Sequence, residues 1–293
     1  MLSEIVKMKD KLVGNRQPAK KRQAHAPVQT VYRSNDVAIP DDFLKPTPAD
    51  AQPITHTAID FKTSVLPEYD GCYAVVLDNV LSPSECAELI RLAEDSVMDE
   101  DKGADGSAWR PALVNVGGGF EMQIPDYRNS DRIIWDSQEI VDRLWARMAV
   151  VPEIRESLST VPQSAMVIPA DPTKYEFCRV NKRLRFLKYT PGQFFKPHCD
   201  GPYGERTPEG FMVQTYMTVH LYLNDSQQVV GSGVDLVGGA TSFLSRDGSR
   251  RVDVDPKAGR VLLFQHAMLR HSGDEVKAGT KYTVRTDIMY REH

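Results

Sequence analysis

From residue 183 onward the chain is written in short strand-like runs. RLRFLKYT, MVQTYMTVHLYLN, ATSFL, GRVLLFQ and KYTVRTDIMY are separated by PGQ, NDSQQVVGSG, SRDGSRR, DPKAG and EVKAGT. β-Branched and aromatic residues fill the runs. Gly, Pro, Asn, Asp and Ser fill the gaps between them, which is the grammar of strands joined by turns. Helical patterns come earlier in the chain. The expectation is an all-β sandwich or barrel with helical support.

Two of the runs constrain more than the fold. In KYTVRTDIMY, Lys281, Thr283, Arg285 and Asp287 share one face, opposite Tyr282, Val284, Thr286 and Ile288. In MTVHLYLN, Thr218, His220, Tyr222 and Asn224 oppose Val219, Leu221 and Leu223. A strand alternates its side chains between two faces, so each run has one polar side. That side either meets water or lines an interior that binds something polar and acidic.

The folded body starts near Leu66. CYAVVLDNV, residues 72–80, reads as a strand. SPSECAELIRLAEDSVM, residues 82–98, reads as a helix with Ser82 as N-cap, Pro83 at its first position and Glu85 completing a capping box. DSQEIVDRLWARM, residues 136–148, repeats the pattern, with Asp136 as the expected cap and Glu139 answering it. Ile140, Val141, Leu144, Trp145 and Met148 form its apolar stripe. Helices with one apolar side suit the outer face of a sheet.

Ahead of this body, residues 1–35 read as a disordered basic tail and 36–65 as an extended irregular arm; the domain proper spans 66–293. Residues 1–33 hold eight Lys/Arg against Glu4 and Asp10, a net of +6, within a chain whose total is −4. PAKKRQ in that tail reads as a solvated basic patch or a nuclear-import signal. The acidic body gives no sign of nucleic-acid binding. No run approaches the ~20 apolar residues of a membrane span, and the N-terminus has no secretory apolar core. Cys72, Cys86, Cys178 and Cys199 form no closely spaced pair, which fits a reducing compartment. The expected location is intracellular, cytoplasmic or nuclear.

The stretch FKPHCDGPY, residues 194–202, brings chemistry into this frame. If it is extended, His198 and Asp200 point to one side and Cys199 to the other. A metal site and a plain His–Asp hydrogen bond both fit that triplet. A second segment, LRHSGDEVKAGTKYTVRTD at 269–287, adds His271, with Lys281 ten positions later. Two histidines and a carboxylate make the facial triad of non-haem iron(II) oxygenases, which leaves three coordination positions open. A 2-oxo acid fills two and dioxygen the third. The far carboxylate of that acid then needs a buried cation.

These segments together resemble the prolyl-4-hydroxylase-type catalytic domain of the iron(II)/2-oxoglutarate-dependent dioxygenase superfamily. RFLKYTPGQFFKPHCDG is similar to that family's strand-turn-strand around His-x-Asp. HLYLND resembles its Tyr-Leu-Asn strand, VGGATSFL its Gly-Gly-x-Thr-x-Phe segment, and HSGDEVKAGTK its terminal His-to-Lys run. The likeness covers 183–290 well and 66–150 thinly; residues 1–60 have no counterpart. It implies a double-stranded β-helix, a jelly-roll or cupin-like barrel, with N-terminal helices packed on one sheet.

It also implies His198, Asp200 and His271 as iron ligands and as the catalytic centre. Lys281 would pair with the C5 carboxylate of 2-oxoglutarate, with Arg285 on the same strand face as the alternative clamp. Tyr189 and Tyr222 would hydrogen-bond the co-substrate, and Thr218 or Thr241 would line its pocket. Phe195 stands where many members carry tyrosine. The implied cofactors are Fe(2+), 2-oxoglutarate, O2 and L-ascorbate. The implied reaction is hydroxylation of a protein side chain or small molecule, with release of succinate and CO2.

Other residues stay between two readings. His266 is a rival to His271 that reads better as a pocket or packing residue. His220 faces the cavity or is a structural histidine. His25, His56 and His293 read as solvated, and Cys199 as pointing away from any metal. Arg128 and Asn129 reach the barrel mouth or belong to an ordinary turn. Gly238 and Gly239 read as a bulge at a barrel edge. Two other classes of function compete: a non-oxidative metal-dependent hydrolase or isomerase, since the triad also suits zinc, and a non-catalytic binding module.

Overall fold

The computed structural model describes residues 26–45, 52–166 and 173–292. Eight strands carry the barrel: β1 (Arg183–Tyr189), β2 (Phe194–His198), β3 (Met212–Tyr222), β4 (Thr241–Leu244), β5 (Arg251–Val254), β6 (Val261–Gln265), β7 (His271–Gly273) and β8 (Lys281–Glu292). They sort into two sheets. The larger runs β6-β3-β8-β1 at its centre and the smaller β5-β4-β7-β2, every pairing antiparallel. Consecutive strands thus alternate between the two sheets, except at the β4–β5 hairpin within the smaller one, which is the double-stranded β-helix.

The larger sheet is extended at both ends. Ala74–Asp78 joins beside β6, with Thr55–Ala58 outside it, so part of the expected arm is an edge strand. Asp131–Asp136 joins beside β1, and Arg110–Pro111 outside that. The register sets which side chains enter. Thr218 pairs with Asp287, His220 with Arg285 and Tyr222 with Thr283. Of these, Thr218, Tyr222, Thr283 and Asp287 are buried. The polar faces therefore line the interior rather than meeting water.

The opposite faces build the main core. Val219, Leu221, Val284, Ile288, Leu184 and Phe186 pack with residues of two helices, α1 (Pro83–Asp95) and α2 (Gln138–Met148). A fully buried aliphatic or aromatic side chain of this kind contributes roughly 1.5–3 kcal/mol. The Ser82–Glu85 capping box is present on α1. On α2 the cap differs from expectation. Ser137, not Asp136, accepts from the Ile140 amide, because Asp136 ends a strand and its carboxylate takes Arg183 at 2.8 and 3.0 Å. Glu139 likewise turns to Arg143. Trp145 is only half-buried and stacks on Phe177, with ring centroids 4.5 Å apart.

Of the tail expected over 1–35, residues 1–25, with PAKKRQ and His25, lie outside the described residues, as does His293. Residues 26–35 are not loose. Val28–Gln29 pairs with Phe120–Glu121, adding a third strand to the hairpin Val114–Gly117/Phe120–Met122. Tyr32 then hydrogen-bonds Glu121 and Arg132. The hairpin turns on Gly117, Gly118 and Gly119, all at positive φ, a signal that Val-Gly-Gly-Gly-Phe displays openly. Among the described residues no helix is long and apolar enough to cross a membrane.

Candidate metal centre and active site

β2 and β7 are neighbours in the smaller sheet, and their register sets His198 directly opposite His271. Asp200 follows β2 in the next two residues and folds back toward both. Its Oδ1 lies 3.6 Å from His198 Nε2, and its Oδ2 lies 3.8 Å from His271 Nε2. The three candidate ligand atoms all fall within 4.8 Å of one another. His271 and Asp200 are buried and His198 is half-buried.

The protonation of both rings is set by the backbone. His198 Nδ1 lies 2.8 Å from the Lys196 carbonyl, and His271 Nδ1 lies 3.0 Å from the Leu269 carbonyl. A carbonyl can only accept, so each Nδ1 carries the proton and each Nε2 lone pair is free toward Asp200. Outer-shell bonds of this kind orient metal-binding histidines. Burial holds His271 down to about 4, against the opposing pull of Asp200. Burial alone would raise the Asp200 carboxyl, but the Arg285 guanidinium beside it holds it well below the usual carboxylate range. Two neutral imidazoles and one ionised carboxylate are a donor set that fits iron(II).

Packing steadies the corner. Phe195 stacks on His198 with ring centroids 3.8 Å apart, and Phe264 meets His271 edge-on at 4.7 Å. Thr218 Oγ1 donates to Asp200 Oδ2 at 2.5 Å, and Arg285 Nη1 forms an ion pair with Oδ1 at 3.0 Å. Thr218 lines the cavity, and its hydroxyl serves the carboxylate. Thr241 lines the cavity too.

Lys281 enters the same cavity, buried at the start of β8. Its Nζ lies 5.2 Å from the centre of the Tyr189 ring and 5.6 Å from that of Tyr222. Among the described residues no carboxylate is in ion-pair range of it, and burial pushes its ammonium down to about 8. Arg285 differs. Its guanidinium is already held by Asp200 and by Asp287, the latter at 2.8 Å. Tyr189 lines the cavity, whereas Tyr222 is set behind it and gives its hydroxyl to the Val254 carbonyl at 3.3 Å. Tyr222, expected to hydrogen-bond the co-substrate, thus has its hydroxyl engaged within the protein.

His266 sits outside the triad, with Nε2 at 3.3 Å from Asp287. His220 lines the cavity, its Nε2 buried without a partner, and burial next to Lys281, His271 and Arg285 holds it well below the ordinary histidine value. Cys199 and His56 are exposed. Arg128–Asn129 forms a short edge strand against Phe194–Phe195, and Arg128 reaches the cavity. Val237–Gly238 is an irregular two-residue strand against Val276–Ala278. Arg185 also lines the cavity and was not singled out by the sequence. The signal was there: Arg183, Arg185, Leu187 and Tyr189 alternate with Leu184, Phe186 and Lys188 in RLRFLKY.

Residues 184–286 match the family model of the 2OG-Fe(II) oxygenase superfamily. Similar solved structures include the viral collagen prolyl hydroxylase of Paramecium Bursaria Chlorella virus-1 in complex with 2OG. It is 21% identical, with 75% of this chain and 97% of that chain covered and a TM-score of 0.45. A prolyl-4-hydroxylase from Pseudomonas putida is 16% identical over 78% of this chain and 95% of its own, with a TM-score of 0.45. A Trichoplax adhaerens prolyl hydroxylase in complex with a hypoxia inducible factor peptide is 15% identical over 78% and 88%, with a TM-score of 0.44. No curated protein matches the chain.

Proposed function

We propose that residues 184–286, which match the 2OG-Fe(II) oxygenase family model, form the core of an oxygenase that hydroxylates a C–H bond of a protein side chain or small molecule, with release of succinate and CO2. The observation that carries the reading is one cavity holding both a tautomer-fixed His198–Asp200–His271 corner and a buried lysine without a carboxylate partner. Iron(II) at such a corner, with 2-oxoglutarate and dioxygen, supplies the oxidising chemistry.

The side chains divide the rest of the work. His198, Asp200 and His271 hold the metal through Nε2, a carboxylate oxygen and Nε2. Lys281 receives the C5 carboxylate of 2-oxoglutarate, and Tyr189 flanks it. Arg285, spent on two carboxylates, keeps Asp200 ionised and aimed, and Thr218 fixes its other oxygen. Phe264, Phe243 and Leu262 fill the barrel behind His271 and exclude water. L-Ascorbate belongs to the same reading as an added reductant. The domain is prolyl-4-hydroxylase-like in its iron and co-substrate residues, which does not select the group oxidised. The catalytic unit is taken to span 66–293.

The test is anaerobic addition of iron(II) and 2-oxoglutarate, followed by a succinate assay in air. A weak visible charge-transfer band is expected, absent in His198→Ala. Turnover supported by zinc without 2-oxoglutarate would replace this reading with the non-oxidative one.

A further inference from the structure

We propose that the substrate of this site is an acid whose carboxylate is received by Arg128 at the throat of the barrel. The inference rests on the oxygenase reading and names the class of molecule that reading leaves open. Arg128, Arg185 and Arg285 stand where the inner cavity meets an outer cleft of about 610 Å3, and each lines both. Arg185 and Arg285 are cross-strand partners and share Asp287, at 2.9 and 2.8 Å.

Arg128 has no such partner. Among the described residues no carboxylate lies in ion-pair range of it. Among the described residues its side chain makes one hydrogen bond, a long one of 3.4 Å to the Leu113 carbonyl, and its Nε is buried with no acceptor. Glu121, the acidic side chain whose field reaches Arg128, is held by Arg132 at 2.7 Å and by Tyr32.

Charge balance points the same way. Arg128, Arg185, Arg285 and Lys281 line the inner cavity against the single carboxylate Asp200, and Asp287 joins them in the outer cleft, where Glu121, Asp136 and Glu205 are paired with Arg132, Arg183 and Arg179. A divalent metal and a doubly charged co-substrate cancel each other and leave that cationic excess in place. Uncompensated charge in a desolvated throat is costly until a counter-charge arrives.

The stack selects the kind of anion. Arg128 Cζ lies 4.8 Å over the Phe195 ring, and Phe195 stacks on His198. The face of the guanidinium is thereby used, and its edge, with the orphaned Nε, is left. A planar carboxylate accepts two parallel N–H bonds from such an edge. The same stack sets the anchor one ring away from His198, in the cavity that the metal corner also lines.

The experiment uses the full chain with iron(II), 2-oxoglutarate and air, and reads succinate release above the level without additive. Four additives are compared: free amino and hydroxy acids, the same compounds as primary amides, Asp- and Glu-containing peptides with amidated C-termini, and phosphate monoesters. A readout free of turnover is the melting shift that each pool gives the manganese- and 2-oxoglutarate-loaded protein. Acids are expected to raise both signals and amides neither. Response to the first pool marks a small acid, and response to the peptides marks an acidic side chain. Arg128→Gln is expected to raise the half-saturating concentration about 10-fold or more, the loss of a charge-assisted bond, and Arg128→Lys to recover part of it. The pool comparison itself needs no variant. Equal response to acids and amides, response to phosphate esters alone, or an Arg128→Gln protein that responds like its parent would overturn the assignment. So would silence in every pool when the charge-transfer band is present. Absence of the band itself instead removes the oxygenase reading beneath it.

Discussion

His198 and His271 are directly paired residues on adjacent antiparallel strands, although four other barrel strands separate them in the sequence. Sheet register, rather than a flexible loop, therefore fixes two corners of the triad. The third corner, Asp200, lies past the end of β2 and needs its own restraint, which Thr218 and Arg285 provide.

Thr218→Val tests that restraint. Valine keeps the shape but removes the hydroxyl that donates to Asp200 Oδ2. Outer-shell losses of this kind cost about 10–100-fold in metal affinity. Iron(II) affinity measured by competition with a chelator is expected to fall by about that much. Affinity equal to the parent's would show that Arg285 alone positions the carboxylate.

Lys281 offers a pH signature. Its ammonium sits at about 8 in the folded protein, below the usual lysine value, because burial disfavours the charge. A receptor for a carboxylate must be protonated. 2-Oxoglutarate affinity is therefore expected to be greatest below about pH 8 and to fall as pH rises through that value. Lys281→Met should remove the dependence and weaken binding by roughly 10–100-fold, equivalent to about 1.5–3 kcal/mol for a hydrogen bond to a charged group. Equilibrium dialysis of 2-oxoglutarate across pH 6.5–9.5, a range of about three units around the lysine value, checks both. A flat profile in the parent protein would remove Lys281 from this role.

Alternation made the interior legible. Thr218–His220–Tyr222 and Lys281–Thr283–Arg285–Asp287 could be read as inward faces because a strand repeats every two residues. What alternation does not carry is the next contact. It sets Tyr222 on the inner face, yet its hydroxyl turns to Val254. It sets Arg285 beside Lys281 as an equal candidate, yet Asp200, from a loop after another strand, takes Arg285. Partners from distant chain positions decide such cases. The same holds at α2, where Arg183 draws Asp136 away from the cap. The strand Val28–Gln29 was illegible for another reason: two residues carry no period, and only the hairpin at 114–122 gives them a place to pair.

Glu85 has two duties, and they predict an acid-sensitive junction. Its carboxylate accepts from the Ser82 amide at 2.8 Å in the capping box of α1, and it pairs with Arg147 of α2 at 2.6 and 2.8 Å. Burial alone would raise its pKa, but Arg147 and the Ser82 amide hold it below the usual value. The stabilisation is thus present above the unfolded glutamate value of about 4.3 and is lost as pH falls through the lower folded value. Glu85→Gln should lower stability at neutral pH and flatten its decline toward acid. Glu85→Ala removes both the capping carboxylate and the buried pair with Arg147, and should cost more than the about 1 kcal/mol expected for Ser82→Ala. Urea titrations at pH 7 and pH 3.5, either side of that glutamate value of about 4.3, measure both, and equal slopes of stability on pH for parent and Glu85→Gln would refute the linkage.

Two glycines with the same backbone angle separate strain from collision. Gly248 and Gly259 sit at φ +75° and +74°. A methyl group at Gly248 would meet nothing within 4 Å, whereas at Gly259 it would lie 1.8 Å from the Leu81 carbonyl oxygen. Gly248→Ala should cost only the left-handed penalty, about 1–2 kcal/mol. Gly259→Ala adds a backbone overlap that no side-chain rotation relieves. The Gly259 amide donates to Tyr222 and its carbonyl accepts from Val80 and Leu81, immediately ahead of the Ser82 cap. Pushing Leu81 away therefore pulls on β3, which carries Thr218, and on the start of α1 together. Chemical denaturation is expected to show a loss above about 4 kcal/mol at Gly259, with Gly248→Ala folded and retaining its metal affinity. Similar losses at the two sites would mean that the turn at Gly259 can open without disturbing either neighbour.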